Sequence, residues 1–184
     1  MKKILLIILI AFCSVSVKAQ MLAVNTDMLL DVMMTPNAGI ELVVGERSTI
    51  GGHVFGNYKP WGKDMKMIGV QPEYRYFFSG RPLHKFFVGF AGLAANYDIT
   101  WKGKVYDGIA LGGGLTFGYV INLTNRLNID CHAGFGAIAY KQKEYYEWDN
   151  HDDIFAGSKA EWTNAKGYYL LPTRIGVSLS YILK

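Results

Sequence analysis

The stretch RIGVSLSYIL, Arg174 to Leu183, decides the fold. Ile175, Val177, Leu179, Tyr181 and Leu183 are apolar, and Arg174, Gly176, Ser178 and Ser180 stand between them. A repeat of two is that of an extended strand, whose successive side chains point to opposite faces. The same alternation runs through Leu127 to Ala137, Ile109 to Tyr119, Ile68 to Phe78, Thr49 to Tyr58 and Ala38 to Val44. A further strand is expected over Leu22 to Val32, with Leu22, Val24, Met28, Leu30 and Val32 opposing Asn25, Asp27 and Asp31. The last, about Phe86 to Thr100, changes phase: Phe86, Val88 and Phe90 share one face, Leu93, Tyr97 and Ile99 the other. An extra residue near Ala91 and Gly92 would reconcile the two, so a bulge is expected there.

Eight strands need seven connections. Turn-forming residues place them at Thr35 to Asn37, Gly45 to Arg47, about Lys59 to Lys66, Ser79 to Lys85, Trp101 to Asp107, Leu123 to Arg126, and a long loop from Glu147 to Gly167. The expected fold is all-β, an eight-stranded antiparallel up-and-down barrel.

Alternation does not say which face is inside. A soluble lipocalin-like barrel turns its large apolar residues inward, towards an apolar ligand. Here the polar face carries Gly112, Gly114, Gly118, Gly134, Gly136, Gly176, Ser178 and Ser180. Glycine weakens a water-facing strand, whereas a narrow interior needs small residues. The opposite face has no Lys, Arg, Asp or Glu across the cleanly alternating strands, and aromatic residues gather towards the strand ends. Both features are those of an outer-membrane barrel with lipid outside. The interior would then hold a polar network of Glu41, Glu73, Arg75, Asp130, His132 and Arg174, with charges of both signs. Eight strands enclose only enough space for side chains, so this set reads as a mutually neutralising plug rather than a solute path.

Composition agrees. The 184 residues are 51% hydrophobic, 14% aromatic and 18% charged, too apolar for a disordered chain. No apolar run long enough for a spanning helix follows the first few residues. Lys2 and Lys3 precede the apolar run Ile4 to Phe12, and Val17 and Ala19 offer small residues before Gln20. This pattern predicts a signal peptide over 1–19, cleaved to leave a single domain over 20–184. Cys13 as a lipidated start is the weaker alternative, because Phe12 precedes it. Cleavage would remove Lys2, Lys3 and Lys18, leaving 16 basic against 15 acidic residues. The basic excess thus belongs mostly to the leader, and nucleic acid is not an expected partner. Cys131 would be left alone, so no internal disulfide is expected.

Reactive motifs are sparse. His53, His84, His132 and His151 show no metal-ligand spacing with one another or with cysteine. The run WDNHDD, Trp148 to Asp153, lacks the glycine and terminal glutamate of a calcium loop and reads as a solvated segment. Leu111 to Gly114 lacks the Lys-Ser/Thr of a phosphate loop and lies within a strand. Small barrel lipid hydrolases carry a His-x-Ser motif that is absent here. No cofactor or metal is expected, and no catalytic residue is assigned.

The segments TDMLLDVMMTPNAGIEL (Thr26 to Leu42), QPEYRYFF (Gln71 to Phe78), NYDITWKGKVYDG (Asn96 to Gly108) and LPTRIGVSLSYIL (Leu171 to Leu183) resemble the domain of unknown function 3575 family of Bacteroidota outer-membrane proteins. The resemblance runs through the mature chain in order, with Asp27 and Leu171 standing where the family typically has Asn and Gly. It implies a small outer-membrane barrel without an established reaction. Some relatives are encoded near fimbrial or surface-adhesin assembly genes, which implies such an assembly protein as a partner alongside outer-membrane lipid. The expected role is therefore non-enzymatic: a filled barrel that anchors exposed loops for envelope integrity or surface interactions. Trp148, Phe155 and Trp162 in the long loop are the candidate contacts. A lipid-modifying enzyme and a soluble lipocalin-like barrel are the alternatives.

Overall fold

The structure, a computed structural model, describes residues 21–146 and 165–183. The elements in chain order are β1 (Leu22–Asp27), α1 (Met28–Val32), β2 (Asn37–Val43), β3 (Ser48–Tyr58), β4 (Met65–Phe77), β5 (Lys85–Trp101), β6 (Lys104–Asn122), β7 (Leu127–Tyr146) and β8 (Ala165–Ile182). Each strand pairs antiparallel with the next, and β8 returns to β1, so one sheet closes into a ring. Closure leaves the paired lengths of β1 and β8 no free edge, which is how an all-antiparallel sheet satisfies its backbone without a second layer.

The ring is lopsided. Strand length grows from 6 residues in β1 to 20 in β7. β8 pairs with β1 only from Ala23↔Ile182 to Asp27↔Ser178. The earlier half of β8 rises beyond that seam, with α1 packed beside it.

Three local expectations are corrected. The first strand does not continue to Val32 but ends at Asp27, whose side chain caps α1 by accepting from the Leu29 backbone N–H at 3.0 Å. An Asp at this position satisfies an N–H that the first helical turn leaves free. Asn37 holds the turn from the other side: its Oδ1 accepts from the Asp27 backbone N–H at 2.7 Å, and its amide donates to Asp31 at 2.9 Å. The expected bulge at Ala91 and Gly92 is absent. β5 keeps one register with β6 from Lys85↔Val120 to Trp101↔Lys104. Leu93, Tyr97 and Ile99 simply face inward, and Tyr97 donates to Gln142 Oε1 at 2.6 Å. The register shift lies opposite Gly134 and Phe135, where β8 passes through Pro172 and Thr173. Proline cannot donate to a ladder, so the pairing slips by one there. The connection expected over Trp101 to Asp107 shrinks to Lys102 and Gly103. Both have positive φ, +52° and +76°, the conformation of the tightest hairpin turns.

Inside the ring, Ala23, Phe77, Leu83, Phe87 and Val120 form an apolar plug at the end where β1 begins and β8 finishes. Above it the interior turns polar. Small residues make room there: a Cβ on Gly136 would sit 2.5 Å from the Gly114 Cα across the β6–β7 pair.

Candidate functional site

The inward positions of four strands bring the six polar residues together. β4 contributes Glu73 and Arg75, two apart and so on one face; β2 contributes Glu41, β7 Asp130 and His132, and β8 Arg174. All six are buried.

Arg75 is the hub. Its guanidinium lies 3.2 Å from Glu41 Oε2, 2.9 Å from Glu73 Oε2 and 2.6 Å from Asp130 Oδ2. Its Cζ also stands 4.4 Å from the centre of the Phe87 ring, which joins the network to the apolar plug. Arg174 donates to Glu73 Oε2 at 2.7 Å and to His53 Nε2 at 2.9 Å. Hydroxyls complete the carboxylates: Thr49 donates to Glu41 at 2.5 Å and Thr116 to Glu73 at 2.6 Å. His132 Nε2 lies 3.2 Å from Asp27 Oδ2, and its Nδ1 3.7 Å from Asp130. Each guanidinium therefore faces at least one carboxylate, the condition under which a charge can be held away from water.

Asp27, Thr49, His53 and Thr116 belong to this network and were not among the six expected. Strand parity would have placed each of them inward, but a hydroxyl or imidazole on a polar face carries no mark that separates a partner from a filler. Ser178 and Ser180 also face inward, and their hydroxyls have no hydrogen-bond partner in the structure.

Two ion pairs lie towards strand ends. Lys59 sits 2.8 Å from Asp64 in the β3–β4 connection and holds its carboxyl below the usual range. Lys104 sits 2.5 Å from Glu144 and, with a hydrogen bond from Gln142, lowers that carboxyl likewise. Among the described residues no group of three or more His, Cys, Asp or Glu is placed to hold a metal ion. Trp148, Phe155 and Trp162, and the acidic run around His151, lie outside the described residues.

A family model described as protein of unknown function (DUF3575) matches residues 4–183, and so every strand that builds this network. The chain belongs to the DUF3575 family. No curated protein and no solved structure matches it. In this DUF3575 chain the matched segment Thr26 to Asn37 forms the capped α1 turn: Thr26 donates to Asp31 at 2.8 Å, and Asn37 ties Asp31 to the backbone of Asp27. The matched segment Gln71 to Phe78 carries the hub arginine.

Proposed function

We propose that this chain is a non-enzymatic outer-membrane barrel, spanning the membrane with eight strands, whose filled interior makes it a rigid anchor for exposed loops. Its role in this reading is envelope integrity or attachment of a surface partner, including an adhesin-assembly protein. The observation that carries it is inverted polarity. Glu73, Arg75 and Asp130 inside are 3–4% exposed, while Ile40, Leu115, Phe90 and Ile175 outside are each 60% or more exposed. Water outside would reverse that order.

The outward face supports the reading strand by strand. Ile68 to Phe77 on β4, Phe86 to Ala94 on β5 and Leu127 to Ala139 on β7 place no charged side chain outward. A tilted spanning strand needs about 9–11 residues, and these runs meet it. β1 and β2 are shorter, but α1 and the turn after it continue the apolar surface with Met28, Leu29, Val32, Met33 and Met34 exposed. The turn's backbone is internally bonded: Thr35 N–H reaches Leu30 O at 2.9 Å and Met34 N–H reaches Asp31 O at 3.0 Å. Only internally bonded backbone is tolerated against lipid. A soluble barrel for apolar ligands would need an apolar cavity in place of the ion-pair network.

The test uses cysteine at 177 or 178, with Cys131 replaced, carrying a fluorophore in vesicles that contain a lipid-borne quencher. Position 177 should be quenched and position 178 spared. The opposite result would turn the apolar face inward and make the soluble barrel the better reading. Sequencing of the N-terminus from the membrane fraction should start at Gln20; a lipidated Cys13 start would replace signal cleavage at 19.

A further inference from the structure

An outward-facing groove of about 1230 Å³ runs between β5 and β8 on the tall side of the ring. Its residues stand in cross-strand rows. The lowest row is Ala94, Leu111, Ala139 and Tyr168. The next is Asn96, Ile109, Lys141 and Lys166, and above it Asp98, Asp107 and Lys143 share a row. Below all three, Gly92, Gly113 and Ala137 form the next row of the outer face, where a Cβ on Gly113 would meet the Phe90 ring at 3.4 Å.

Two features identify an occupant. The floor is apolar and continuous with the outward apolar face, while the upper wall is basic. Lys141, Lys143 and Lys166 are exposed, and none makes an ion pair among the described residues. Asp107 is the one carboxylate of the described lining, Asp98 stands opposite it in the row of Lys143, and the three lysines outnumber the two. A free anion would use the lysines and leave the floor empty; an uncharged lipid would use the floor and leave the lysines unmatched. The order from apolar to basic is that of an amphiphile standing in a leaflet, acyl chains below and phosphate above. The volume also exceeds the roughly 300–1,000 Å³ of small-molecule pockets.

We propose that this groove seats a phosphate-bearing lipid of the outer leaflet, its acyl chains along Leu111 and Ala139 and its phosphate held by Lys141, Lys143 and Lys166. The proposal rests on the membrane-spanning reading, since only that puts a leaflet beside β5–β8.

Native mass spectrometry of the full chain from maltoside micelles tests it, with phosphatidic acid and the diacylglycerol of identical chains as probes. Phosphatidic acid should reach half-occupancy at a concentration at least about tenfold lower, a modest preference for three ammonium groups around one phosphate. The variant K141Q/K143Q/K166Q, altered only at exposed positions, should lose that preference. K59Q/K63Q/K66Q on and beside the β3–β4 connection should keep it, and excess inorganic phosphate should not displace the lipid. Equal binding of the two lipids by the parent, or an unchanged preference in the first variant, would overturn the proposal. Displacement by inorganic phosphate would also overturn it, as a free-anion site. Flotation with phosphatidylcholine vesicles, run in parallel, reports on membrane insertion alone. A chain that fails to float yet shows the lysine-dependent preference would separate failure of the membrane reading from failure of the groove.

Discussion

Replacing Arg75 with Met should destabilise the folded ring more than any other single change in the interior. Arg75 meets Glu41, Glu73 and Asp130 at 3.2, 2.9 and 2.6 Å. Without it Glu73 keeps Arg174 and Thr116, but Glu41 keeps only Thr49, and Asp130 only the distant edge of His132. Breaking one buried pair typically costs about 3–5 kcal/mol, because the remaining charge stays buried without its partner. Two such carboxylates are left here, so about 3–5 kcal/mol is a lower figure. Methionine keeps an unbranched apolar chain of similar reach but loses the guanidinium over the Phe87 ring, a smaller loss than that of the ion pairs. At a urea dependence of about 2 kcal/mol per molar, the unfolding midpoint should fall by roughly 1.5–2.5 M. Tryptophan fluorescence and heat-modifiable gel migration of the protein in vesicles would follow the transition. The double variant Arg75→Met/Glu41→Gln should recover part of the loss, because it removes one of the two stranded charges. A midpoint for Arg75→Met equal to the parent's would mean that water screens these groups, and the network would not be a dry plug. A double variant no more stable than Arg75→Met would mean that Glu41 does not depend on Arg75.

Other outcomes follow from the same geometry. Val177→Arg should cost about 2–4 kcal/mol in vesicle unfolding by placing a charge on the face proposed to meet lipid, and a neutral result would count against that assignment. Ser178→Phe should cost about 1–3 kcal/mol by crowding a position that is 1% exposed, and an unperturbed midpoint would show a wider interior. Gly136→Leu should be damaging for the same reason, since its Cβ would press on the Gly114 Cα, whereas Gly52→Ala, with open space around its Cβ, should be tolerated; equal midpoints for the two would refute the close approach. Asn37→Ala removes the ties to Asp27 and Asp31 and should cost about 1–3 kcal/mol, with faster amide exchange at Leu29 and Thr35 as its signature; unchanged exchange would show that α1 holds without it.

The strand count, the alternation and the interior set were legible in the residues, because a period of two assigns every side chain to a face wherever the strand stays regular. Arg174 and Ser178 could be placed inside, and Ile175 and Val177 outside, from RIGVSLSYIL with no knowledge of what they meet. The α1 turn was not legible. Met28 to Val32 fits alternation as well as a helix does, and the choice went to the helix through bonds from Asp27 and Asn37, which β1–β2 pairing brings together. The phase change in β5 was visible but misassigned to a bulge, since a strand that climbs past the apolar band reverses its polarity without changing its register. Partner choice inside the ring was beyond the chain's own pattern: Arg75 takes Glu41 and Asp130, Arg174 takes Glu73 and His53, and the stagger between strands sets those distances. The groove between β5 and β8 depends on the same stagger. Lys141 and Lys166 lie 25 residues apart along the chain and stand side by side because β7 and β8 are in one register there. Facing follows from local periodicity, and neighbourhood follows from register, which closure of the whole sheet imposes.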